Sequence, residues 1–378
     1  MGTRRLYWLA LWMLWGCTLE QPPLSYRVVG YLYGPRMDSL ETWDLSGLTH
    51  VNIAFANVRP DGRVVLETAA DSVRLRRLTA LRSGEGPRML LSVGGWTWSD
   101  YFSDAALTPA SRVRFAASAG SLLVEFGLDG LDIDWEYPGQ PGEGNIYRAE
   151  DRENFTRLLA TVRAWLDSLA QEQGRAYLLT IAAAASPTYL EHVEIEQVHP
   201  LVDFINLMTY DFHGSWTAHT GHHANLYPST LDPEGISVDG AVRRYLAAGV
   251  PREKLVIGVP FYGRGWQGVR SEHQGRYQPY ERAMAEALSF AVLQRRYLGQ
   301  EGFIRYWDAE AQAPYLWHAE RRVFISYEDH QSLAAKVAYV RAQRLGGLMF
   351  WEYSGDVGGA LRCLMATLNP LLQCNEEN

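Results

Sequence analysis

From Tyr26 onward the chain repeats one unit: a short apolar run, a loop, and a longer stretch whose apolar residues recur at helical spacing. Strands that alternate with helices run parallel, because a parallel connection needs a crossover of a dozen or more residues. The candidate strands are Arg27–Tyr31, Val51–Ala56, Met89–Val93, Leu131–Glu136, Leu178–Ala183, Phe204–Met208, Leu255–Pro260 and Gly347–Trp351. Eight such units make an α/β protein and close a (β/α)₈ barrel. A chain of 378 residues could hold two average domains, but one barrel with insertions routinely takes this length. The helical stretch from Arg152 to Gln173 sets Phe155, Leu158, Leu159, Val162, Trp165, Leu166 and Leu169 on one face, as core. Between the seventh and eighth strands the spacing grows to about 90 residues, roughly double one βα unit. Residues 263–327 are therefore read as an insertion, and residues 26–262 with 328–370 as the barrel.

The fourth strand has an unusual composition. In Asp129-Gly130-Leu131-Asp132-Ile133-Asp134-Trp135-Glu136-Tyr137-Pro138, the period of two puts Asp132, Asp134 and Glu136 on one side and Leu131, Ile133 and Trp135 on the other. Alternation alone fits a solvated acidic face. Three carboxylates about 6 to 7 Å apart repel one another, however, and that crowding raises the pKa of at least one of them. A carboxylic acid kept protonated near neutral pH can serve as a general acid, so this strand is read as catalytic.

The same residues carry a resemblance. D-G-L-D-I-D-W-E-Y-P resembles the D-G-x-D-x-D-x-E signature of the family 18 glycoside hydrolases, the chitinases and their relatives, which carry it on strand four of a (β/α)₈ barrel. Further stretches at expected strand ends resemble family sequence: Ser92-Val93-Gly94-Gly95-Trp96, Met208-Thr209-Tyr210-Asp211, Gly258-Val259-Pro260-Phe261-Tyr262-Gly263-Arg264 and Met349-Phe350-Trp351-Glu352. The insertion resembles the small α+β domain that many of these chitinases carry after strand seven.

The resemblance implies hydrolysis of β-1,4-linked N-acetylglucosamine with retention, the substrate's own N-acetyl group acting as nucleophile. It implies Glu136 as general acid and base, Asp134 as the group that holds the acetamido N–H, Asp132 as its partner in sharing a proton, and Asp129 as structural. Tyr210 would donate to the acetyl oxygen and Asp211 would anchor the distorted sugar. Trp351 would floor the cleft, Tyr262 and Arg264 would line it, and Trp96 and Trp216 would stack sugars on the leaving-group side. Tyr31, Phe55, Gly95 and Met208 complete the expected substrate-binding set. No metal and no cofactor is expected. Two rivals stay open: an endo-β-N-acetylglucosaminidase or other N-acetylglucosamine-directed hydrolase, and a non-catalytic chitin-binding lectin, whose kind usually loses the acid that this chain keeps.

Composition narrows the partners. A net charge of −8, with no basic run after the N-terminus, makes nucleic acid a poor partner. The 13 Trp and 21 Tyr suit a cleft in which flat sugar faces stack on rings, although most of them are needed as core. The ten histidines form no H-E-x-x-H motif, and His213 is read as a brace for its loop. Arg4 and Arg5 followed by an apolar run from Leu6 through Trp15 read as an export signal over residues 1–17. Leu14-Trp15-Gly16-Cys17 resembles a bacterial lipobox, from which Trp15 departs, so a lipid on Cys17 and simple secretion both stand; residues 18–25 would be a tether. The expected protein is an exported monomer that binds chitin or chitooligosaccharides and touches a membrane only through that lipid. In such a chain Cys363 and Cys374 are expected to pair.

Overall fold

Parallel strands are covered on both faces and so read as continuous apolar runs, and the eight runs of the sequence become eight paired strands. The computed structural model describes residues 26–37, 43–82, 86–285 and 288–374; the expected export signal, with Cys17, and the expected tether lie outside them. The strands are Arg27–Tyr33, His50–Val58, Arg88–Gly94, Gly130–Asp134, Leu178–Ala184, Phe204–Met208, Leu255–Pro260 and Gly347–Trp351. Each pairs in parallel with the next, and the first pairs with both the second and the eighth, which closes the barrel.

Alternation within each strand divides the core in two. Leu131, Ile133 and Trp135 point outward and pack against the helices, as do Val28 and Leu32 of the first strand. Val29, Tyr31, Ala54, Phe204, Val256 and Met349 fill the barrel interior beneath Phe55, Met208, Tyr210 and Trp351. The helix Asp151–Gln173 buries Phe155, Leu158, Leu159, Val162, Leu166 and Leu169 as its spacing requires, and ends at Gly174 in the left-handed conformation. Trp165 departs from the expected core face and is exposed. Its indole lies over Gly120 of the neighbouring helix Pro109–Phe126, where an added Cβ would come within 2.7 Å of Nε1. It covers a helix edge with one side in water.

Between the seventh and eighth barrel strands the chain forms a second, antiparallel sheet, with strands Tyr262–Gln267, Ile304–Asp308, Ala313–His318 and Val323–Ser326. Trp266, Val269, Tyr315, Trp317 and Phe324 give it a core of its own. Of the 35 basic residues only Lys254 and Lys336 are lysines, and both stand where one ammonium serves two acceptors. Lys254 Nζ donates to the carbonyls of His199 and Val202, each at 2.7 Å. Lys336, fully buried, donates to the Ala224 carbonyl at 2.7 Å and to Glu328. Cys363 and Cys374 form the expected disulfide. It holds the tail against Gly47, where Ser46 Oγ donates to the Gln373 carbonyl at 2.7 Å.

Candidate active site

The fourth barrel strand carries Asp132 and Asp134 on its inward side and stops there, two residues short of the expected end at Glu136. The Glu136 N–H leaves the ladder because Ser99 Oγ accepts it at 2.8 Å, while the same hydroxyl donates to the Gly95 carbonyl at 2.9 Å. The third strand comes so close that a Cβ on Gly94, at φ 105°, would lie 2.3 Å from the Asp134 carbonyl oxygen. Only glycine fits there. Gly95 serves differently from the expected contact with substrate: it is buried, and a Cβ on it would meet the Phe55 ring at 2.6 Å.

The three acids do not form a solvated face. Asp132, Asp134 and Glu136 are 0, 4 and 8% exposed. Asp132 accepts from Tyr31 Oη and Ser92 Oγ at 2.8 Å, from Thr180 Oγ1 at 2.6 Å and from Asn206 Nδ2 at 3.2 Å. Burial raises its pKa and these donors pull it back. Tyr31 is thus a support for Asp132: it is buried and its hydroxyl is already spent, so it is not available to substrate as expected. Asp134 sits above with its pKa raised well beyond the usual carboxylate range, first by burial and then by the charges of Glu136 and Asp132. It shares a hydrogen bond with Glu136, while its Oδ1 is buried without a hydrogen-bond partner among the described residues. Burial pushes Glu136 up to about 7 and the charge of Asp211 adds to this, while hydrogen bonds from Tyr137 and Asp134 hold it down.

This electrostatic arrangement predicts a pH profile. A general acid must carry its proton, and Glu136 loses it as pH rises through about 7. The kcat/KM for a soluble substrate should therefore fall on the alkaline side, about tenfold per pH unit above that point. A profile flat to about pH 9 would refute the assignment.

Across the mouth stand the residues that follow the sixth and seventh strands. A Cβ on Gly258 would lie 2.7 Å from Tyr210 Cε1 and 2.9 Å from Met349 Cε, so this glycine gives the phenol its room. Asp211 adopts φ 57°, rare for a residue with a side chain. Arg264 forks onto it, Nε to Oδ1 at 2.9 Å and Nη2 to Oδ2 at 2.8 Å. Burial alone would raise the Asp211 pKa, but the nearby His223 and the Arg264 fork outweigh it and hold the group down at about 2. Arg264 is directed at Asp211, and its guanidinium lies over the rings of Trp216 and Tyr262.

Trp351 is half-buried and stacks on Phe55 with ring centres 5.5 Å apart, flanked by Tyr31 and Tyr33. Met208 packs against the same interior cluster as Trp351. Trp96 and Trp216 are 49 and 59% exposed, which removes the core reading for both. His213 braces its loop as expected, with Nδ1 3.0 Å from the His222 carbonyl. Asp129 lies at the opposite end of the fourth strand, accepting from the Met89 N–H at 2.8 Å and from Arg82, a structural position. Sequence reasoning missed Ser99, Thr180, Asn206 and His223, and it named Gly258 only within a family-like stretch, without its role beside Tyr210. The signal for Thr180 and Asn206 was present, since each is a polar residue inside an otherwise apolar buried strand.

Comparison with known proteins identifies the family. Residues 27–356 match the family described as Glycosyl hydrolases family 18. Chitinase A1 of Niallia circulans is 37% identical over 397 residues, covering 88% of this chain and 57% of that protein. The chain thus spans little more than half the length of this relative. Among solved structures, a family 18 N-acetylglucosaminidase from Paenibacillus barengoltzii is 42% identical with a TM-score of 0.85, covering 91% of this chain and 99% of that one. Chitinase ChiA74 from Bacillus thuringiensis is 34% identical with a TM-score of 0.86, covering 93% and 71%. With the acid column on the fourth strand of a closed barrel and a family match over almost the whole of that barrel, the chain belongs to the glycosyl hydrolases of family 18.

Proposed function

We propose that the chain cleaves β-1,4 bonds between N-acetylglucosamine units of chitin with retention, the substrate's acetamido oxygen acting as nucleophile. Glu136 gives its proton to the glycosidic oxygen as the acetyl carbonyl attacks the anomeric carbon, and the leaving sugar departs. Asp134 accepts the acetamido N–H and stabilises the cyclic cation that forms, with Asp132 beneath it taking up the change in charge. Tyr210 donates to the acetyl oxygen and keeps it in line. Glu136, now a base, takes a proton from the water that opens the ring.

One observation carries this reading. Asp134 keeps a buried oxygen free beside Glu136, whereas Arg264 occupies both oxygens of Asp211, the carboxylate that acts on Glu136 from across the mouth. An ordinary retaining enzyme needs a second carboxylate free to attack, and Asp211 is engaged. The exposed Trp96 and Trp216 support a role as platforms for sugars on the leaving-group side. The Cys363–Cys374 disulfide supports residence in an oxidising compartment, in keeping with export. Whether Cys17 carries a lipid is a matter for mass spectrometry of the N-terminal peptide.

A second reading is favoured by the Paenibacillus barengoltzii enzyme, which is described as an N-acetylglucosaminidase. Such an enzyme would release single sugars from a chain end. Product sizes on chitohexaose and colloidal chitin, followed by chromatography from the first minutes, separate the two. Early dimers to tetramers are expected of the chitinase. Monomer alone from the start would assign the exo reading, and no cleavage would refute both.

A further inference from the structure

We propose that His223 is a positioning residue for Asp211, its imidazole N–H fixing the carboxylate that anchors the sugar; this rests on the glycosidase reading. His223 is fully buried where the segment after the sixth strand passes beneath the antiparallel sheet. Ser326 Oγ of that sheet accepts its backbone N–H at 3.0 Å, and the Tyr262 ring lies 5.4 Å from the imidazole. The His223 backbone and its ring are thus both held against that sheet.

Its nitrogens are not otherwise used. Among the described residues neither Nδ1 nor Nε2 has a hydrogen-bond partner, and Nδ1 stands 3.7 Å from Asp211 Oδ1. The neighbouring buried histidines differ: His213 reaches the His222 carbonyl at 3.0 Å, and His222 reaches Asp308 at 3.1 Å. A buried ring with idle nitrogens costs free energy that packing alone does not justify, since phenylalanine would fill the same space. A gap a few tenths of an ångström too long is usual for a catalytic hydrogen bond in an empty site, which tightens when substrate arrives.

Charge fits the same role. Burial lowers the His223 pKa to about 4, its contacts with Asp211 work against this, and the charges of Arg264 and Lys336 lower it further. The ring is thus neutral at pH 7 and free to hold its proton on Nδ1. Arg264 already supplies the positive charge that Asp211 needs, and a neutral donor adds direction without a second cation. When a sugar hydroxyl draws on Asp211, the Arg264 fork must share its oxygens, and Nδ1–H is placed to take up Oδ1.

The test compares His223→Phe, which keeps a ring and loses the donor, with His223→Asn, which keeps an N–H. On chitotetraose the Phe variant should lose about 10- to 100-fold in kcat, as small misplacements at a reacting centre do, with KM changed less than about threefold. The Asn variant should recover most of that loss. If the Phe variant does not fold, His223→Ala in added imidazole takes its place, and restored kcat is the expected result. A Phe variant within threefold of wild type, an Asn variant as slow as Phe, or no rescue by imidazole would each overturn the role and leave the glycosidase reading intact. An inactive wild-type enzyme would overturn that reading and this inference together.

Discussion

Replacing Glu136 with glutamine should abolish hydrolysis while leaving chitooligosaccharide binding nearly unchanged. The amide has the shape of the carboxyl group and can keep the contacts to Tyr137 and Asp134, but it has no proton to transfer. A loss of about 10² to 10⁴ or more in kcat follows from removing a general acid. The fold should survive, because burial disfavours the charge that the substitution removes. Turnover of a fluorogenic chitobioside gives the rate and calorimetry with chitotetraose gives the affinity. Activity within tenfold of wild type would remove Glu136 from the chemistry, and a parallel loss of binding would make it a structural residue.

The barrel was legible because its strands are covered on both sides. Runs such as Leu-Val-Ile-Gly-Val-Pro and Gly-Leu-Met-Phe-Trp leave no polar face to confuse with a loop, and all eight became strands. The acids were legible because alternation forces Asp132 and Asp134 onto the side opposite Leu131 and Ile133. What the pattern could not give was the strand's end. Glu136 leaves the ladder because a hydroxyl from Ser99, 37 positions away, takes its N–H, and no local signal marks that partner. The steric role of Gly258 was hidden for a similar reason, since the Tyr210 ring that needs the space comes from a different strand. Trp165 follows the helical stripe by spacing, yet the gap at Gly120 draws it to a helix edge. Tyr31 reads as a cleft aromatic until its hydroxyl is found on Asp132.

The central claim is that the sugar supplies its own nucleophile. The unit on the non-reducing side of the cut must then carry an N-acetyl group, because a free amine has no oxygen to offer the anomeric carbon. The discrimination should be close to all-or-none, as the chemistry has no second path through Asp211 while Arg264 holds both its oxygens. A thiazoline mimic of the cyclic intermediate should inhibit for the same reason, since a site built for that shape and charge binds its analogue tightly. Partly deacetylated chitosan tests the requirement most directly, with its products sequenced by mass spectrometry while proton NMR follows the first anomer released. The account predicts N-acetylglucosamine at almost every new reducing end and the β anomer formed first; frequent glucosamine at those ends, or the α anomer first, would contradict it.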